Sequence, residues 1–161
     1  MNTGETNACR LTRRPDVNVA AFAFLLNYPW EILQMPLFEG AATAALSPTI
    51  VMCSLAALGD AVIMTIAYRS TALVVRSGDW VLAPRRKAVA IFLAIGLIVT
   101  LAIEFVAVRV PWGWAYAASM PRLPLFGAGL TPVLQWLLLP PIVVWIVQRQ
   151  LRGAAAIADR E

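Results

Sequence analysis

Glu31, Asp60 and Glu104 are the side chains in this sequence with the most capacity for chemistry, because each lies inside a long run of apolar residues. An ionisable group at the centre of a hydrocarbon layer costs about 2.5–3.5 kcal/mol on insertion scales, so its presence there points to pairing, burial or function. Two carboxyls held together away from water can divide the roles of proton donor and proton acceptor. With tryptophan rings beside them to stabilise a developing cation through their π faces, such a pair suits proton-driven isomerisation or cyclisation of an apolar, lipid-like molecule such as a polyene or sterol. The same groups would also serve to bind a cationic ligand or to relay protons. Glu31, Glu104 and Asp60 are therefore the candidate catalytic residues.

Helical spacing supplies their companions. Asn27, Glu31 and Gln34 are separated by four and three residues, which sets them on one face of a helix. Thr49, Cys53 and Asp60 share a face by the same arithmetic, Thr100 precedes Glu104 by one turn, and Thr131 aligns with Gln135. Asn27, Gln34 and Gln135 join the candidate site as binding residues. So do Trp112, Trp114, Tyr116 and Arg122, from the segment P-W-G-W-A-Y-A-A-S-M-P-R-L-P-L-F that begins at Pro111. That segment is aromatic, proline-punctuated and nearly uncharged. It suits either an aromatic belt at a membrane surface or a roof over the carboxyls.

The elements that must position these groups follow from composition. Of 161 residues, 60% are hydrophobic and 14% charged, and the mean hydropathy is +0.73, far from the balance of a water-soluble domain. Four stretches, residues 17–38, 48–68, 88–108 and 127–147, are each close to the ~20 apolar residues that cross a bilayer. The expected fold is an all-α integral membrane protein, a four-transmembrane-helix bundle with an aromatic outer loop. Residues 1–16 form a flexible cytoplasmic tail, 17–148 the membrane domain and 149–161 a second cytoplasmic tail. The first apolar run lacks a small-residue cleavage site and is too long for a signal peptide, so it is expected to remain as a helix. Pro29, Pro36, Pro140 and Pro141 are expected to bend the first and fourth spans.

Charge sets the orientation. Eleven of the thirteen basic residues fall before the first span, between the second and third, or after the fourth; Arg109 and Arg122 are the exceptions. By the positive-inside rule this places both termini and the 69–87 loop in the cytoplasm, in a multi-pass protein of the inner (plasma) membrane. At about 1.5 Å of rise per residue, Glu31 then lies roughly 10 Å, Glu104 roughly 6 Å and Gln135 roughly 12 Å below the outer helix ends, with Asp60 nearest the midplane. The polar groups gather in the outer half, on the side of the aromatic loop.

Several classes are excluded. The net charge of +4 is spread between spans rather than collected on a nucleic-acid-binding surface. With no histidine, no cysteine pair and no phosphate loop or nucleophile elbow, no metal or cofactor is expected. Cys9 and Cys53 are too far apart in depth to form a disulfide. The expected partners are the lipid bilayer and a lipid-like small molecule, and oligomeric state is open.

Four segments, N-Y-P-W-E-I-L-Q-M-P-L-F, C-S-L-A-A-L-G-D, W-G-W-A-Y-A-A-S-M-P-R-L-P and G-L-T-P-V-L-Q-W, resemble signature blocks of small bacterial polytopic membrane proteins with no established activity. In general design the chain also resembles the sterol-isomerase-like membrane proteins, with their intramembrane acids and tryptophans. It departs from them in lacking histidine, so that resemblance implies a chemistry and no residue roles. The alternative readings are a transporter or proton-relay subunit, and a structural or assembly subunit of a membrane complex.

Overall fold

A computed structural model of the chain describes residues 13–40, 43–111, 113–124 and 127–158. Cys9 and Trp112, along with most of the expected N-terminal tail, lie outside the described residues. Four long helices carry the fold: α1 (Pro15–Gln34), α2 (Leu46–Val75), α3 (Arg86–Ala107) and α4 (Leu130–Ala158). Short 3-10 turns occupy Met35–Leu37 and Trp80–Leu82. No strand is present among the described residues, only two isolated bridges.

Each helix shows why it folds as it does. The buried residues of α3 are Ala88, Phe92, Gly96, Thr100, Glu104 and Ala107, a four-residue rhythm that draws one stripe along a 3.6-residue helix. Those of α2, from Cys53 and Ala57 through Ala61, Met64 and Ala67 to Thr71, follow the same rhythm. α1 closes where Pro36 enters the sequence, and the chain tightens there into a 3-10 turn, because proline cannot donate to a continuing helix. α2 and α4 both outrun the spans expected from hydropathy. α2 passes through Arg69, Ser70 and Thr71 to Val75, where Arg76 takes a left-handed conformation (φ 55°). α4 accommodates Pro140 and Pro141 within its length and continues into an Ala-rich segment, whose helix propensity is high.

α1 packs on α2 and α4, α2 on α3, and α3 on α4. The helices thus form a ring in chain order, each antiparallel to its neighbours, with α1 opposite α3 and α2 opposite α4. Three of the four, α2, α3 and α4, are long and apolar enough to cross a membrane. α1 has the length, but Asp16, Asn18, Asn27, Glu31 and Gln34 lower its hydropathy; the residues that make it polar are those it turns inward or toward its neighbours.

Large aliphatic side chains are unusually abundant on the outside of the bundle. Small residues such as Ala23, Ala57, Ala61, Ala67, Ala88 and Gly96 face inward, while Leu33, Leu73, Ile98 and Trp145 are more than half exposed. Gly96 is the clearest case of a small residue set by its neighbour: a Cβ there would fall 1.9 Å from the Trp136 ring, so the indole of α4 occupies the space a side chain on α3 would need.

The two ends of the ring differ. At one end, Asp16 at the start of α1 bridges to Arg14 and to Arg69 of α2. There Trp80 stacks on Tyr68 and tilts against Phe92, and Leu82 O accepts from Gln148 (3.0 Å) and Arg152 (2.6 Å) of α4. At the other end the described residues between 108 and 129 fold over the helices. Its residue Tyr116 bridges to Phe38, through Glu39 N–H to Ala115 O and Ala117 N–H to Leu37 O, both 2.9 Å.

Candidate functional site

Gln135 is the centre of the buried polar residues. Its Nε2 lies 2.7 Å from Asn27 Oδ1, 3.0 Å from Glu31 Oε1 and 2.8 Å from Asp60 Oδ2. One side-chain amide on α4 thereby reaches α1 and, across the ring, α2. Asn27 is itself oriented by its own helix, donating through Nδ2 to Ala23 O at 2.7 Å. Gln34 donates to Glu31 Oε1 at 2.8 Å and accepts from Trp30 Nε1 at 3.3 Å. The polar stripe of α1 is therefore continuous from Asn27 to Gln34, as its spacing requires.

Glu31 Oε1 and Asp60 Oδ2 are joined through the same Gln135 Nε2, at 3.0 and 2.8 Å. Ionised carboxylates are acceptors alone, so both depend on donors from other side chains. The Gln135 amide has two hydrogens and three oxygens within 3.0 Å, of which Glu31 Oε1 also accepts from Gln34. Among the described residues the ion pairs are those of Asp16 with Arg14 and Arg69, so no cation neutralises these carboxyls.

Glu104 stands one step away, on α3. It interacts electrostatically with Glu31 and Asp60, but its hydrogen bonds come from the covering segment. Tyr116 donates its hydroxyl to Glu104 Oε2, and Trp114 Nε1 lies 3.4 Å from the same oxygen. The Tyr116 hydroxyl in turn accepts from Gly129 N–H at 2.9 Å. Among the described residues no three His, Cys, Asp or Glu side chains converge as a metal site.

The aromatic segment divides into parts. Tyr116 is only 4% exposed and belongs to the interior rather than to a surface belt; its ring tilts against Phe38 at 5.6 Å. Trp114 keeps 39% of its surface exposed while its indole N–H points to Glu104, the behaviour of an amphipathic ring at a boundary. Arg122 does not reach a carboxyl. It donates to Tyr116 O at 3.2 Å and lies 5.3 Å from the Tyr116 ring centre, so it supports the cover. Arg109, just beyond the end of α3, folds onto Phe105 of that helix. A further constraint comes from Gly113, where a Cβ would fall 1.8 Å from Ala107 O: only glycine lets the segment turn back so closely over the end of α3.

The structure thus brings Asn27, Glu31, Gln34, Asp60 and Gln135 into one network and places Glu104, Trp114 and Tyr116 beside it, with Arg122 behind Tyr116. Thr131 donates to Met120 of the cover at 3.5 Å. Thr100 Oγ1 and Trp136 Nε1 are buried without a hydrogen-bond partner among the described residues. Sequence reasoning missed Trp30 as the donor to Gln34, and missed Trp136, whose seat on Gly96 is signalled only by a lone glycine in an apolar helix. Below the carboxyls the interior turns apolar, filled by Val19, Met64, Phe92, Val143 and Val147. Comparison of the chain with family models, with curated proteins and with solved structures returned no match.

Proposed function

We propose that this chain is a multi-pass protein of the plasma membrane, with both termini cytoplasmic, whose buried carboxyl network donates and accepts protons for an apolar, lipid-like molecule admitted beneath the aromatic cover. The membrane assignment draws support from three helices long and apolar enough to cross a bilayer and from the large aliphatic side chains exposed on the outside of the bundle, with a polar network within. Orientation rests on the basic residues at the Asp16 end. The site assignment rests on one observation above all, the convergence of Glu31 and Asp60 on one Gln135 amide nitrogen with no ion-pairing cation among the described residues. Two carboxyls held close without a counter-charge can divide the roles of proton donor and proton acceptor.

The isomerase or cyclase chemistry is the specific form of this reading. Glu31 and Asp60 form the proton-sharing pair, Glu104 is the third titratable group, and Trp114 and Tyr116 form the wall nearest the cover. A structural role is the second reading, favoured by a particular fact: Gln135 satisfies groups on two other helices at once, as interhelical glue does. A transmembrane proton relay is disfavoured by the apolar layer of Val19, Met64, Phe92, Val143 and Val147 beneath the network.

The test compares Glu31→Gln and Glu104→Gln with wild type in a deletion strain, reading the profile of membrane lipids and isoprenoids alongside protein level and thermal stability in detergent. Proton-transfer chemistry predicts normal protein level and a profile that stays at the deletion state. Full restoration by both variants rejects it, and loss of protein from the membrane supports the structural role. Reporter fusions after residue 161 check the orientation: efficient activity of a reporter that works only outside the cytoplasm rejects it.

A further inference from the structure

At the basic end of the ring, away from the carboxyls, an open groove of about 500 Å³ runs between α3 and α4. Val89, Leu93, Pro141, Val144 and Trp145 make its walls, and Arg86 stands at its mouth. From Arg86 to Leu93 the groove follows α3 for seven residues, roughly 10 Å, the length of the upper part of an acyl chain. Its floor is apolar, so the chemistry that fills it is aliphatic.

The rim has the opposite character. Arg86 lines the groove and Arg149 lies over the Trp145 ring at 5.1 Å, whereas Arg85 and Lys87 line a separate recess that also holds Asp79. The ion pairs among the described residues all involve Asp16, so these cations are not neutralised by a carboxylate. α3 begins at Arg86 with no acidic residue in its first turn and no side-chain cap; its first amides and the positive end of its dipole therefore add to the same excess. Cations at a helix N-terminus repel that dipole, and an anion at this rim relieves both. Basic recesses between membrane helices are where anionic lipid headgroups settle.

We propose that this groove seats one anionic phospholipid, its phosphate held by Arg86 and the start of α3 and an acyl chain lying along Val89, Leu93, Pro141 and Val144. The site is separate from the carboxyl network, and its occupancy does not depend on the chemistry assigned there.

The experiment measures thermal unfolding of the full purified chain in detergent with added phosphatidylglycerol, phosphatidylcholine or inorganic phosphate, for wild type, Arg86→Gln and Ala90→Phe. Ala90 is exposed and lines the groove, so the phenyl ring fills it without removing charge. Saturating phosphatidylglycerol is expected to raise the wild-type Tm by about 4 °C or more beyond phosphatidylcholine. Both variants are expected to keep the wild-type Tm in phosphatidylcholine and to lose most of that increment. Equal stabilisation by the two lipids overturns the proposal. So does an increment retained in both variants, which places the lipid elsewhere, or one reproduced by inorganic phosphate, which removes the acyl chain from recognition.

Discussion

The side-chain nitrogen of Gln135 on α4 lies 3.0 Å from the Glu31 carboxylate oxygen on α1, although 104 residues separate them in sequence. The same nitrogen serves Asn27 and Asp60, so one amide connects three helices. Replacing Gln135 with Leu keeps the volume and removes every one of these bonds, leaving buried oxygens without a donor at a cost of about 1–3 kcal/mol. Thermal unfolding in detergent should show the drop, and Gln135→Glu, which sets another carboxyl against Glu31 and Asp60, should be worse than Gln135→Leu. A Leu variant as stable as wild type rules out the amide as the tie.

The seat of Trp136 on Gly96 predicts a coupled pair. Gly96→Ala alone forces the α3–α4 seam apart and is expected to cost about 1–3 kcal/mol, the range for overpacking. Trp136→Leu alone leaves a void. Combined, the two should cost less than the sum of their separate effects, because the new methyl enters space the indole has vacated. Strict additivity in unfolding measurements contradicts the close contact.

Tyr116 links the cover to α3. Tyr116→Phe deletes both the donation to Glu104 and the acceptor for Gly129 N–H, for an expected loss of about 1–3 kcal/mol. Glu104→Gln retains an acceptor oxygen for the Tyr116 hydroxyl and should be milder in stability. Limited proteolysis within the 108–129 segment should quicken in Tyr116→Phe and stay near wild type in Glu104→Gln. The reverse order means the cover is held by other contacts.

Asp16 lies just ahead of the first apolar run. The Arg14 hydrogen bond, with Arg69 in support, holds its carboxyl below the usual carboxylate range, against an opposing push from desolvation. A depressed folded-state value means that the stabilisation is complete above the unfolded pKa of about 3.9 and is lost as pH falls through the folded value. Asp16→Asn should therefore lower Tm slightly at pH 7 and make no difference in strong acid. A Tm gap that stays constant from neutral to strongly acidic pH excludes the ion pair as its source.

Much of this architecture is written in residue spacing. The intervals joining Asn27, Glu31 and Gln34 identify the inward face of α1, and the four-residue interval from Thr100 to Glu104 identifies that of α3, because a helix repeats its face every three to four residues. Helix ends were harder to read, since hydropathy falls at Arg69 and Arg149 while the backbone pattern does not change there. The contacts made by Tyr116 were not legible at all. Nothing in an aromatic loop says whether a ring lies at a boundary or turns inward, and that depends on a neighbouring segment, here Phe38, arriving from far along the chain.

The ring order of the helices has a consequence for assembly during synthesis. Asn27, Glu31 and Asp60 emerge with the first two helices, whereas the amide that serves them is carried by the last. Until α4 is made, those three side chains must share what hydrogens they have among themselves, and the gap between α1 and α3 stays open. Closing the ring and bringing in the Gln135 donor are then a single event, so an incomplete or misordered chain is left with an unsatisfied polar face.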